Sequence, residues 1–171
     1  MSGARAWAYA QAPMDSPARL ARDAWFAAVR DGPVAGALEK IYADAASAIK
    51  LRAPACWASG RCCNFIKAGH LLYCTGLEAA YTLTRAGAPA RERLDAALRA
   101  GGCPYQIANL CGVHASKPLG CRLYFCDRSS QEWQHELYER LTLDLRALHD
   151  RFAVPYVYAE WRELLGEMVG G

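Results

Sequence analysis

Apolar residues recur at helical spacing through most of this chain. Ser16-Pro17 opens the first such segment, with serine suited to the N-cap and proline to the first helical turn. Leu20, Ala24, Ala27 and Ala28 then share one side of a helix expected over 17–30, which Asp31-Gly32-Pro33 ends. A second helix is expected over 34–51, with Leu38, Ile41, Tyr42, Ala45 and Ile49 near helical spacing and Pro54 as its stop. The short connection predicts an antiparallel hairpin. Thr75-Gly76-Leu77-Glu78 reads as a capping box that starts a helix running to Arg85. Pro89 introduces another over 90–100, ended by Gly101-Gly102. Ser129 to Glu132 reads as a second capping box, with Ser129 at the N-cap, ahead of the longest helix, 130–152. Trp133, Leu137, Leu141, Leu145 and Leu148 form its core stripe. After Pro155, Trp161, Leu164 and Leu165 mark a last helix over 158–168. Residues 1–15 read as a loose tail, and 65–73 as a short strand or extended leg. The expected fold is mainly α: a single-domain helical bundle of about five helices over residues 1–171, with little or no sheet.

The helical pattern fails in two places, and both are rich in cysteine. The first loop, C-W-A-S-G-R-C-C, holds Cys56, Cys62 and Cys63. The second holds Cys103, Cys111, Cys121 and Cys126, interrupted by Pro104, Gly112, Pro118 and Gly120, which forbid a continuous helix. Both lie between helices, so they are expected at one end of the bundle, forming a cysteine-cluster core over 53–126 ahead of C-terminal helices over 129–171.

Composition bears on what such loops do. A chain of 171 residues, 53% hydrophobic, is long enough for one core. Its net charge of +3 comes from basic residues interleaved with acidic ones, which argues for a solvated surface and against a nucleic-acid partner. No stretch is long and apolar enough to span a bilayer, so no membrane partner is expected. The N-terminal segment lacks the apolar run of a signal peptide, which points to the cytoplasm. Disulfides are disfavoured there, so eight cysteines point to metal binding or redox chemistry.

The spacing is C-x5-C-C followed by C-x7-C-x9-C-x4-C, without a C-x2-C knuckle of the kind that zinc modules use. Adjacent Cys62 and Cys63 fit poorly around one small tetrahedral ion and better on different irons of a cluster. Cys103 precedes proline, as some cluster ligands do. These features favour an iron–sulfur cluster, 4Fe–4S, over zinc. Ligands are expected from both loops: Cys103, Cys111 and Cys121, with Cys63 or Cys62, and with Cys126 or Cys56 as further ligands. Arg61 and Arg122 are candidate cofactor-binding cations that would offset the negative charge of a thiolate site. Lys117 reads as a solvent-facing loop charge, Cys74 as a buried packing residue, His114 as a ligand only secondarily, and His70 as structural. Glu132 and His135 read as a helix surface pair, and His149 as a partner of a helix C-terminal dipole.

The segments C-W-A-S-G-R-C-C, C-P-Y-Q, C-G-V-H and K-P-L-G-C-R-L-Y-F together resemble the YkgJ-type cysteine-cluster family, described as a zinc- or iron-chelating domain. A related motif in flagellin lysine methylases is associated with an iron–sulfur cluster. The resemblance covers residues 56–126, and its opening has one cysteine fewer than the family's C-x2-C-x2-C-C. It implies metal binding and leaves the activity open. The expectation is a metal-binding protein whose 4Fe–4S cluster serves electron transfer or supports a partner enzyme. The alternative is a zinc-binding structural or interaction module without catalysis, and a third class is a thiol–disulfide sensor.

Overall fold

The computed structural model describes residues 16–169; the expected N-terminal tail lies outside them. The apolar stripes become helices α1 (Pro17–Ala28) and α2 (Gly32–Arg52), with Ser16 Oγ accepting from the Arg19 N–H at the first cap. Next come α3 (Phe65–Ala68), strand β1 (Tyr73–Thr75), α4 (Gly76–Ala86) and α5 (Arg91–Ala100). A hairpin of β2 (Gln106–Ile107) and β3 (Leu110–Cys111) leads to α6 (Leu119–Leu123), the long α7 (Gln131–Arg151), β4 (Tyr158–Glu160) and α8 (Trp161–Val169). The fold is mainly helical, as expected, but two short two-stranded sheets and two extra short helices join the bundle.

One hydrophobic cluster runs through the long helices. α1 packs on α4 and α8, and α2 packs on α7 and α6. Trp25, Leu38, Leu77, Leu141, Leu145, Trp161, Leu164 and Leu165 are fully buried within it. Each such side chain contributes roughly 1.5–3 kcal/mol by leaving water. Trp25 also donates its indole N–H to the Pro155 carbonyl at 2.7 Å, which fixes the chain after α7 against α1. Gly76 makes this packing possible, because a Cβ there would run into the Trp25 ring.

The strand pair links the two halves of the chain. β1 and β4 run antiparallel with Tyr73 opposite Glu160, Cys74 opposite Ala159 and Thr75 opposite Tyr158. Each strand passes directly into a helix, and each helix start is capped by a carboxylate. At α4 the expected capping box is present: Thr75 Oγ1 accepts from the Glu78 N–H, and Glu78 Oε2 accepts from the Thr75 N–H. At α8, Glu160 accepts from the N–H groups of Arg162 and Glu163 and holds the Arg162 guanidinium at 2.8 Å.

Two local expectations are corrected. Residues 65–73 begin as the short helix α3, ended by Gly69 in a left-handed conformation, and only the last residue, Tyr73, enters a strand. The second capping box does not form around Ser129. Asp127 instead accepts from the Ser129 N–H and from the hydroxyls of Ser129 and Ser130, so a single 3-10 turn precedes α7. An aspartate two residues ahead of a serine competes well for that N–H, because its charge strengthens the bond.

A candidate metal centre of five cysteines

The two cysteine loops meet. The Cys103 N–H donates to the Cys63 carbonyl at 2.8 Å, and the Ile66 N–H donates to the Gly101 carbonyl at 3.0 Å. The Gln106 side-chain amide donates to the Gly60 carbonyl at 3.1 Å. Gly60 adopts a left-handed conformation, φ +72°, and a Cβ there would lie 2.7 Å from Gln106 Nε2, so the loops approach this closely only over glycine. The β2–β3 hairpin then turns the chain back and sets Cys111 opposite Gln106.

The third side of the site comes from α6, and buried Glu78 positions it. Glu78 is 1% exposed. Its Oε1 accepts from the Leu119 N–H at 2.7 Å, the first residue of α6, while its Oε2 serves the capping box. Thr82 Oγ1, one turn along α4, donates to the Ser116 carbonyl at 2.7 Å. These bonds fasten the loop ahead of α6 to α4 and so place Cys121.

Cys62, Cys63, Cys103, Cys111 and Cys121 thereby line one cavity of about 20 Å³. Cys63 stands at the centre, with its thiol in hydrogen-bond reach of Cys103, Cys111 and Cys62. The single Cys63 proton can be donated to one of these neighbours at a time, and it favours the thiolate on the one that receives it. The Cys63 thiol is pushed up by them, while Cys62 and Cys111 are each brought down to about 6 by the Cys63 thiol. Cys103 is also lowered, first by Cys63. Cys121 is raised by burial. Cys62, Cys103 and Cys111 thus gather around Cys63, and Cys121 lines the same cavity. Among the described residues no group of three or more His, Cys, Asp or Glu side chains is arranged as a ready metal-ion site. The observation that stands is the gathering of thiols.

Of the other residues that wall this cavity, two have roles that the sequence did not single out. Lys117 lies against it, and its charge favours the thiolates of Cys62 and Cys111, in place of the solvent-facing role expected for it. Trp161 also lines it, through its place at the start of α8. Its indole N–H is buried, has no partner of ordinary hydrogen-bond geometry, and lies toward Cys103, whose thiolate it favours. A buried donor without a partner is costly, at roughly 1–3 kcal/mol. Trp161 reads in the sequence only as an apolar helix position.

The remaining candidates lie elsewhere. Cys56 is exposed and Cys126 half-buried, and neither lines the cavity. Arg61 is exposed on the first loop. Arg122 stacks its guanidinium over the Tyr42 ring at 3.9 Å and donates to the Ala115 carbonyl at 2.8 Å, so it braces α6 on α2 and the preceding loop. Cys74 is 1% exposed in β1 and packs in the core, as expected. His114 is exposed, and the nearby Lys117 charge lowers its pKa. His135 pairs with Glu139 at 3.3 Å rather than with Glu132. His149 is buried, with burial lowering its pKa, and its Nδ1 lies 3.1 Å from the Val154 carbonyl; it belongs to the core and does not act as a surface cation at the α7 terminus.

No helix among the described residues is long and apolar enough to cross a membrane. No family model, curated protein or solved structure matches this chain.

Proposed function

We propose that the protein binds an iron–sulfur cluster of the 4Fe–4S type on thiolates of its two loops, for electron transfer or to support a partner enzyme. The observation that supports this most is the convergence of five cysteines, from positions 62–63 and 103–121, on one cavity that Lys117 and Trp161 also line. Cys63, Cys103, Cys111 and Cys121 are the ligands proposed, with Cys62 at the edge. The donor set fits such a group. Thiolates are its usual ligands, and neighbouring cations and N–H donors stabilise the negative charge that they bring. Lys117 supplies the cation and Trp161 the donor. Pro118 and Val113 complete the lining of the cavity. A bound cluster of this type supplies a one-electron carrier. The resemblance to the YkgJ-type family agrees with metal binding.

A single observation favours a second reading, a structural zinc ion. The cavity is of the order of one water molecule, for which about 10–15 Å³ suffices. A single ion enters it with little displacement, whereas a cubane requires the thiols to separate. In that reading the metal staples the two loops and its binding energy is folding energy.

Anaerobic purification with elemental analysis and a visible spectrum tests both. Iron and acid-labile sulfide near four per chain, with broad absorption in the visible, supports the cluster. One zinc per colourless chain replaces it with the second reading. A metal-free protein with cycling disulfides removes both.

A further inference from the structure

Two of the loop cysteines, Cys56 and Cys126, stay outside the cavity that the others share. They come from different loops, yet the fold brings their two segments alongside each other. At the end of α2 the Arg52 guanidinium donates to the Ser129 carbonyl at 2.8 Å. Three residues on, the Ala55 N–H donates to Asp127 Oδ2 at 3.2 Å. One segment rises from 52 to 55 while the other descends from 129 to 127, so the two run in opposite directions. The next step of that register sets Cys56 beside Cys126.

The surroundings suit a thiol pair. Asp127 Oδ1 accepts from the Ser129 N–H and hydroxyl, and its Oδ2 accepts from the Ser130 hydroxyl as well as from the Ala55 N–H. All of its lone pairs are thereby engaged, so Asp127 is not free to join the two thiols around a metal ion. Beyond Ala55 the first loop is loosely held. Among the described residues, the N–H groups of Cys56, Trp57, Ala58 and Ser59 make no hydrogen bond to the protein. This stretch can therefore shift to the Cα separation of about 4.4–6.8 Å that a disulfide needs without breaking backbone bonds of its own. Cys56 is exposed to a small reagent. Cys126 is half-buried, with its thiol in hydrogen-bond reach of the Tyr124 hydroxyl.

We infer that Cys56 and Cys126 form a reversible disulfide, a redox-responsive clasp between the two cysteine loops outside the metal cavity. The oxidant is a small disulfide of the glutathione class. The exposed Cys56 thiolate attacks one of its sulfurs, the S–S bond breaks, and one glutathione leaves as the thiol. The Cys126 thiolate then attacks Cys56 Sγ, the protein disulfide forms, and the second glutathione leaves. Two protein thiols are oxidised, one glutathione disulfide is reduced to two thiols, and those thiols carry the two protons. An exposed bridge of this kind is the labile type, readily reduced again. The inference does not rest on what the five cavity cysteines bind, since neither member of the pair is among them.

The test incubates the full chain, purified anaerobically, in glutathione buffers of rising disulfide-to-thiol ratio, blocks free thiols with N-ethylmaleimide and maps tryptic peptides by mass spectrometry. Cleavage after Arg52, Arg61, Arg122 and Arg128 leaves each of the two cysteines alone in its peptide, 53–61 and 123–128, so the bridge is assigned without ambiguity. The linked pair of these peptides is expected to appear as the ratio rises and to vanish on return to reduced glutathione, with the protein monomeric throughout. Cys126→Ser should instead retain one glutathione on Cys56. Asp127→Ala, which releases Ala55, should lower the exchange equilibrium constant at least threefold. A bridge from Cys126 to Cys62, a bridge between the Cys56 residues of two copies, glutathione retained on both cysteines of the wild type, absence of any oxidation, or an unchanged constant in Asp127→Ala would each overturn the inference. Iron and zinc are measured on the same samples, so a missing bridge leaves the metal reading standing, and a missing metal leaves the bridge.

Discussion

Replacing Glu78 with alanine removes the acceptor that ties the start of α4 to the start of α6. Two buried backbone donors lose their partner: the Thr75 N–H, at 2.9 Å, and the Leu119 N–H, at 2.7 Å. Each orphaned donor costs about 1–3 kcal/mol. The capping bond from the residue 78 N–H to Thr75 Oγ1 survives, since it uses the backbone. Relief of the burial penalty on the carboxylate offsets part of the loss. The net expectation is a destabilisation of about 3 kcal/mol, or a fall in Tm of roughly 6–12 °C for a chain of this size. The damage should also reach the thiol site, because Leu119 opens the helix that carries Cys121. Calorimetry gives the first number, and the alkylation rate of Cys121 in metal-free protein gives the second. A loss below about 1 kcal/mol together with an unchanged Cys121 rate would refute the argument that Glu78 positions α6. Burial raises the Glu78 pKa from its ordinary 4.5, so folding favours the protonated acid. That contribution is complete below the unfolded pKa and is lost as pH rises through the folded value. The difference in stability between the wild type and Glu78→Gln, which cannot ionise, should therefore shift against the wild type over that rise.

Other outcomes follow from the same structure. Single Ser replacements of Cys63, Cys103, Cys111 and Cys121 should each lower metal content and cost several kcal/mol, on the scale of metal-coupled folding; full metal retention in all four ends the two-loop proposal. Cys74→Ala, in the core of β1, should cost roughly 1 kcal/mol and leave metal content intact, as read by denaturant unfolding and elemental analysis. In metal-free protein, iodoacetamide should modify Cys62 and Cys111 with rates that rise through about pH 6 and level off by neutrality, since their pKa values are lowered to about 6, while buried Cys74 stays unreactive. Gly76→Ala should be among the most disruptive single changes, at several kcal/mol, because the added methyl meets the buried Trp25 ring, which its bond to the Pro155 carbonyl holds in place; a Tm within a few degrees of wild type would contradict this.

The amino-acid sequence by itself determined the helices and the two irregular cysteine loops. Both are local properties: a stripe of apolar residues at 3.6 spacing has one low-energy conformation, and a proline in a helix interior breaks it. The Thr75–Glu78 capping box was legible for the same reason, since its bonds span three residues. What only the tertiary structure decided is which thiols share a cavity. Cys63 and Cys103 are joined by a backbone bond across forty positions, and Cys121 is placed by Glu78 from another helix. No periodicity carries such information, so Cys56 and Cys126 stood beside them as further ligands. Trp161 and Lys117 came to the site in the same way, by α8 starting at the end of a strand paired with β1 and by the loop ahead of α6 folding over the thiols. The stacked rings of Tyr73 and Tyr158 had no sequence signature, because they meet only through pairing of strands more than eighty residues apart. Contacts of that separation depend on the closure of the whole chain, and their energies appear only once the long helices have packed.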